Sequence, residues 1–400
     1  MKIPKYIQHN PRGTTLPEKT ATKGTSFAHL DFVLVGMVMT LLGPILPLLS
    51  TRWGLNDMQA GYLFFAQFAS SCLGMLASGT LVRRYGYRLT LMFGLVVSAL
   101  GVALLANANW VFGLTAVCIF GIAFGTNTPA TNLFVAQTYA PKSAPALNLL
   151  NSSWGIGAMA CPLVIAIAQR EHHVPLFLYA LSASLIILTV AMAAVSFRVD
   201  SEKPPVQQIS ASSGNPWNHG LLVIIAILFF VYVGSENSVG GWVASYARRI
   251  STDSSTFWTI TPSFFWGALL LGRALAPLAL QKIHETKLAG AGVTLAALGV
   301  GVLLSAKTMT PVVVGASMAG LGFSSVYPIN VSLLSHWFGE TTTRVSGAIF
   351  AVGNLGGATL PWVVGAVSTK TGSLRAGLTV PLCGALAMLI FYVVHKTKSA

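Results

Sequence analysis

Phe32-Val33-Leu34-Val35-Gly36 with Gly43 seven residues on, and Phe230-Val231-Tyr232-Val233-Gly234 with Gly241 seven residues on, are one pattern written twice. The copies stand about 198 residues apart, close to half the chain, as expected for a fold assembled from two related halves. Two further matches keep nearly the same spacing. Gly121-Ile122-Ala123-Phe124 with Pro129 recurs as Gly320-Leu321-Gly322-Phe323 with Pro328, and Gly157-Ala158 with Pro162 recurs as Gly356-Gly357 with Pro361. Gly and Pro are common in membrane helices, but chance does not readily give three matches at one spacing. Small residues let helices approach and slide, and Pro and Gly breaks free backbone groups to line a cavity.

Composition places the repeat in a bilayer. Charged residues are 8% of the 400 positions and hydrophobic ones 54%, too little charge to cover a soluble surface of this size. The mean hydropathy of +0.70 is spread along the chain, which argues for many spanning helices over one anchor. The net charge of +14 sits between apolar runs, not on one face, so lipid headgroups account for it and a nucleic-acid partner is not expected. Cys72, Cys118, Cys161 and Cys383 lie in apolar segments without CxxC spacing and read as packing residues; no metal and no cofactor is expected.

Apolar runs of about 20 residues, the length that crosses the hydrocarbon, predict twelve spans, near 27–50, 57–80, 88–107, 109–138, 145–169, 174–197, 219–247, 256–281, 287–305, 309–337, 343–368 and 374–395. The expected fold is all-α, with two pseudo-symmetric six-helix bundles at 27–197 and 219–395. They are joined by a polar linker at 198–218 and flanked by tails at 1–26 and 396–400. Residues 1–25 lack the apolar core and cleavage site of a signal peptide. With both termini cytosolic, about 16 Lys and Arg face the cytosol and about seven the other side, as the positive-inside rule requires. The expected location is the bacterial cytoplasmic (inner) membrane.

From about Phe27 to His395 the chain resembles the major facilitator superfamily. Within it, Tyr232-Val233-Gly234-Ser235-Glu236-Asn237-Ser238-Val239-Gly240-Gly241-Trp242 resembles the seventh helix of the fucose permease-like sugar:proton symporters. Ala146-Leu147-Asn148-Leu149-Leu150-Asn151, with Gly155-Ile156-Gly157-Ala158 and Pro162, resembles their fifth. The resemblance implies the superfamily's twelve-helix fold and alternating access around a central site. Gly79-Thr80-Leu81-Val82-Arg83-Arg84-Tyr85-Gly86-Tyr87-Arg88 takes the place of the superfamily's gating loop between helices 2 and 3. Arg83 stands where an aspartate is usual, which bears on the charge lock of the outward-facing state. The symporters carry acids in helices 1 and 4 where this chain has Gly43 and Thr128, so proton coupling would use other groups.

An ionisable side chain at the centre of a spanning helix costs at least about 2.5 kcal/mol, so its presence points to a task. Glu236 lies deepest of the acids and is the first candidate for proton coupling. Asp31 is a second, although an acid near a helix start is favoured by the dipole and is expected at the interface. Arg273 reads as an anchor whose charge reaches the interface. Of the eight histidines only His29 and His336 touch predicted helix ends, and neither is given a role.

Neutral polar residues repeat along single helix faces, as a cavity for a hydroxylated solute requires. They are Gln67 with Ser71, Asn127 with Thr131, Asn148 and Asn151 with Gly155, and Ser324, Tyr327 and Asn330, with Asn237 and Asn354 adding amides. Trp154, Trp242 and Trp266 are candidates to stack on a sugar ring. Enzyme signatures fail: Gly155-Ile156-Gly157-Ala158-Met159-Ala160 fits GxGxxA but follows no strand, and His284-Glu285 has Leu288 where a second zinc histidine would stand. The expected function is proton-coupled uptake of a small polar uncharged solute such as a sugar by a monomer, with sodium as the other coupling ion. The alternatives are a proton-driven exporter of amphipathic compounds and a membrane receptor that moves nothing.

Overall fold

The computed structural model describes residues 18–139, 143–194, 220–251, 256–339 and 342–398; the predicted linker at 198–218 lies outside them. Eleven stretches among these residues are long and apolar enough to cross a bilayer. One of them, Asp57–Ala106, is 50 residues long, and at 1.5 Å per residue it measures about 75 Å, more than twice the hydrocarbon thickness. It divides at Gly86, whose φ of 78° and ψ of 170° break the helix at a residue with no Cβ to object. The described residues therefore make twelve crossings.

Span 1 comprises α1 (Glu18–Thr40) and α2 (Leu42–Trp53). Spans 2 and 3 are α3 (Asp57–Ala106) before and after Gly86. Spans 4 to 7 are α4 (Trp110–Thr138), α5 (Ser143–Arg170), α6 (Val174–Ala194) and α7 (Gly220–Ile250). Span 8 is a 3-10 turn (Thr256–Ile260) followed by α8 (Thr261–Leu280), and span 9 is α9 (Glu285–Ser305). Span 10 joins α10 (Met309–Phe323) to α11 (Val326–Phe338), span 11 is α12 (Thr342–Thr371), and span 12 joins α13 (Leu374–Gly377) to α14 (Thr379–Lys398). The interruptions in spans 1 and 10 precede Pro44 and Pro328, which have no N–H for the carbonyl four residues back. Two boundaries differ from expectation: α1 starts at Glu18, inside the predicted 1–26 tail, and α14 runs to Lys398, inside the predicted 396–400 tail, because helical backbone hydrogen bonding continues past the apolar runs from which the spans were drawn.

The repeat read in the sequence recurs as paired backbone contacts. In the first half, a Cβ on Gly36 would overlap the carbonyl oxygen of Trp154, and one on Gly157 that of Val33, so spans 1 and 5 touch backbone to backbone. In the second half, Gly356 meets the carbonyl of Phe230 and Gly234 that of Gly356, so spans 7 and 11 do the same. Gly121 against Gln67 and Gly320 against Phe265 repeat the pattern between spans 2 and 4 and between 8 and 10. The expectation that spans 1, 4 and 5 correspond to 7, 10 and 11 thus has a physical basis in shared close approaches.

Gly157→Val should push spans 1 and 5 apart at a cost of about 1–3 kcal/mol. Thermal unfolding in detergent should show a clear loss of Tm, while Gly79→Val, at a glycine with nothing within 4 Å, leaves it unchanged.

Candidate functional site

Glu236 lies near the middle of span 7 and is 8% exposed. Its Oε1 accepts a hydrogen bond from the Tyr232 hydroxyl one helical turn back (2.8 Å) and pairs with Nη2 of Arg273 on span 8 at 3.3 Å. Arg273 is therefore no interfacial anchor: with a buried carboxylate in reach, pairing inside the bundle replaces the reach to headgroups. Its guanidinium also stands 6.0 Å from the ring of Trp154 on span 5, so it touches the other half, and its Nε has no hydrogen-bond partner among the described residues. Trp154 meets Trp266 edge-on at 5.6 Å, while Tyr327 packs against Tyr232 at 5.9 Å. Carboxylate, guanidinium, phenols and indole meet at mid-depth, where the halves face each other.

Asp31 is placed differently from expectation. It is fully buried, because α1 begins some 13 residues before it and carries it past the interface. Its Oδ1 accepts from the Asn127 amide at 3.1 Å and its Oδ2 from the Thr131 hydroxyl at 2.7 Å. Asn127 and Thr131, candidate substrate contacts by sequence, are turned to this carboxyl on span 4. Among the described residues Asp31 has no ion-pair partner. The Thr131 hydroxyl also lies 3.0 Å from the carbonyl of Asn127, so its single hydrogen has two acceptors to choose between.

The other candidates separate by depth and direction. Trp242 is 1% exposed, packs on Phe64 and donates its indole N–H to the Pro361 carbonyl, which takes it out of any cavity wall. Trp266 is buried against Phe265, leaving Trp154 as the partly buried indole of the three. Gln67 donates to the Met39 carbonyl and ties span 2 to span 1. Asn330 accepts from the Tyr392 hydroxyl on span 12, and Ser324 bonds its own helix beside Gly272. Asn237 donates to the Val233 carbonyl in its own helix. Asn354 reaches across the halves to the Met75 sulfur at 2.7 Å. Asn148 and Asn151 are exposed, on the face of span 5 where Gly155 meets Leu270 of span 8. His29, given no role from sequence, bonds Ser153 at 2.8 Å and links spans 1 and 5. Cys383 is exposed and Cys161 buried, so packing describes only part of the cysteine set.

Contacts between the halves cluster at the end remote from the termini. The Asp57 carboxylate at the start of span 2 accepts from Arg249 at the end of span 7 and from Ser368 on span 11. The backbone N–H of Met58 donates to Thr369 at 2.8 Å, and Arg248 donates to the Pro47 carbonyl at 2.7 Å. Thr259 bonds Gln169 across the same seam, and Tyr62 packs on Trp362. This end is closed, and the exposure of Asn148 and Asn151 marks an opening toward the termini. Arg248 and Arg249 were only two of the about seven charges counted opposite the termini; two arginines ending an apolar span, with an acid opening another, were the available signal. The polar contacts of the gating loop among the described residues lie within the first half: Arg83 donates to Thr80, Arg84 stacks on Tyr85, and Arg88 caps the carbonyls of Met192 and Ala193 at the end of span 6. Gly79 and Gly86 are exposed beside them.

Arg273→Met should destabilise the protein by about 3–5 kcal/mol because it strands the Glu236 carboxylate, and adding Glu236→Gln should recover much of that in a thermal-unfolding cycle. Asp57→Asn should open the closed end, seen as faster thiol labelling of a cysteine introduced at Ala60, which is buried one turn along from Asp57, and not of one introduced at Thr80.

The sequence pattern described as Major Facilitator Superfamily matches residues 32–358. A "Glucose/galactose transporter" of Brucella abortus biovar 1 (strain 9-941) is 27% identical, covering 98% of each chain. The human "Sodium-dependent glucose transporter 1" is 24% identical over 92% of this chain and 78% of its own. Among solved structures, the nucleoside transporter NupG superposes with a TM-score of 0.73 at 14% identity, covering 94% of this chain and 98% of that one. Twelve crossings in two halves, a mid-depth cluster of polar groups and a match across most of the length agree: the chain is a multi-pass transporter, not an enzyme, and belongs to the Major Facilitator Superfamily.

Proposed function

We propose that the protein carries a neutral hexose-type sugar into the cell in step with a proton, rocking its two halves about the Glu236–Arg273 pair. The observation that carries this reading is the buried pair itself: a carboxylate and a guanidinium at mid-depth cancel in charge, leave one guanidinium N–H free among the described residues, and stand beside a partly buried indole. That arrangement suits a hydroxylated ring better than an ion. The names of the curated relatives, a glucose/galactose and a glucose transporter, support a sugar. The charge asymmetry of the loops supports cytosolic termini in an inner membrane, so the opening toward the termini is an inward-facing state.

Two carboxyls divide the coupling. Protonation of Glu236 would loosen Arg273, and with it the contact to Trp154 in the other half. At Asp31 the Thr131 hydroxyl supplies the switch: it donates to the ionised carboxylate, and turns its hydrogen to the Asn127 carbonyl when the acid's own O–H needs an acceptor.

In proteoliposomes, an inward proton gradient should drive glucose or galactose accumulation. Glu236→Gln and Asp31→Asn should each cut accumulation at least tenfold while sparing sugar counterflow, which requires no proton release. Full, pH-dependent accumulation by Glu236→Gln would refute the proton role. A second reading rests on the sodium-dependent human relative and on the oxygen atoms around Asp31, which also suit an alkali cation. Accumulation driven by a sodium gradient alone, and lost in Asp31→Asn, would establish it.

A further inference from the structure

Spans 8 and 9 are joined by a turn of four residues, 281–284, yet scarcely touch each other; both lie instead on span 10. Between them runs a groove of ≈ 240 Å³. Small residues, Gly272, Ala276 and Ala279 on span 8 and Ala291 and Gly292 on span 9, open it between leucines of both spans, and its floor includes Leu321. Leu275, one of the lining leucines, has about half its surface exposed, as a lipid-facing residue of a spanning helix does.

The mouth of the groove is positively charged. Lys282 lies in the turn that follows Ala279, and Lys287 precedes the lining residue Leu288 in the first turn of span 9. Both are exposed, and neither has an acidic partner among the described residues. The one nearby acid, Glu285, is turned away: its carboxylate accepts from Ser332 at 2.7 Å and pairs with His336 at 3.4 Å on span 10. The amino-terminal end of span 9 adds its own partial positive charge. An apolar slot at hydrocarbon depth that ends beneath two unpaired ammonium groups has the chemistry of a single amphiphile with a chain and an anionic head.

We infer that this groove is a binding site for an anionic glycerophospholipid, with an acyl chain between spans 8 and 9 and the phosphate at Lys282 and Lys287. The inner end of the groove reaches Gly272, the neighbour of Arg273, so an occupied groove holds span 8 in place behind the mid-depth pair.

Full-length protein, delipidated in detergent, is titrated with phosphatidylglycerol or phosphatidylcholine and read by native mass spectrometry and thermal unfolding. One phosphatidylglycerol should be retained more tightly than phosphatidylcholine and should raise Tm. Lys282→Ala with Lys287→Ala should weaken its retention on the order of tenfold and remove the preference. Ala276→Leu with Ala291→Leu should fill the slot and abolish the tight site, in protein that still elutes as one peak with unchanged unbound Tm. Equal retention of the two lipids by the unmodified protein, or undiminished phosphatidylglycerol binding by the filled variant, overturns the assignment. Displacement of the lipid by tetraphenylphosphonium in preference to oleate also overturns it, since the groove would then select hydrophobic cations.

Discussion

In hydrocarbon there is no hydrophobic gain from bringing two apolar helices together, so association rests on how closely backbones can approach. Gly36 and Gly157 let spans 1 and 5 meet at carbonyl distance, and Gly234 and Gly356 do so for spans 7 and 11. Dispersion falls steeply with separation, so a single methyl at these points forfeits contacts along the whole seam. The mid-depth cluster depends on this arrangement, because Trp154 is presented from the segment of span 5 whose carbonyl touches Gly36.

Within the bundles so held, two acids meet the low dielectric in different ways. Glu236 has a cation 3.3 Å away and a phenol beside it, so its charge is balanced locally. Asp31 has only neutral donors, an amide and a hydroxyl. A paired carboxylate resists a change of protonation until its partner moves, whereas one met only by neutral donors can change when its donors re-orient. In the proposed mechanism the first would couple to motion between spans 7 and 8, the second to rotation of one hydroxyl.

Much of the architecture was legible in the chain. Span positions followed from hydropathy because the bilayer imposes a length, and the repeat followed from glycine and proline because each marks a backbone requirement that a side-chain swap cannot meet. The site was read only in part. Glu236 stood out as an acid amid apolar residues, but its partner Arg273 looked like an interfacial anchor, since pairing across helices leaves no periodic trace. Asp31 was assigned too shallow a depth because polar composition hid nine residues of helix ahead of Phe27. Trp242 and Trp154 are alike in sequence, and only packing distinguishes the one that fills a core from the one that faces an opening.

The closure at the end remote from the termini converges on one carboxylate: Asp57 receives a donor from each of two helices of the opposite half. Such a clasp is exposed to the electrolyte at that face, whose ions compete for the same oxygen atoms and screen the attraction over about 10 Å at ordinary ionic strength. The glycine seams inside each bundle contain no charge and are indifferent to that medium. The molecule is thus stiff where its shape must persist and responsive to its surroundings at the seam that has to part.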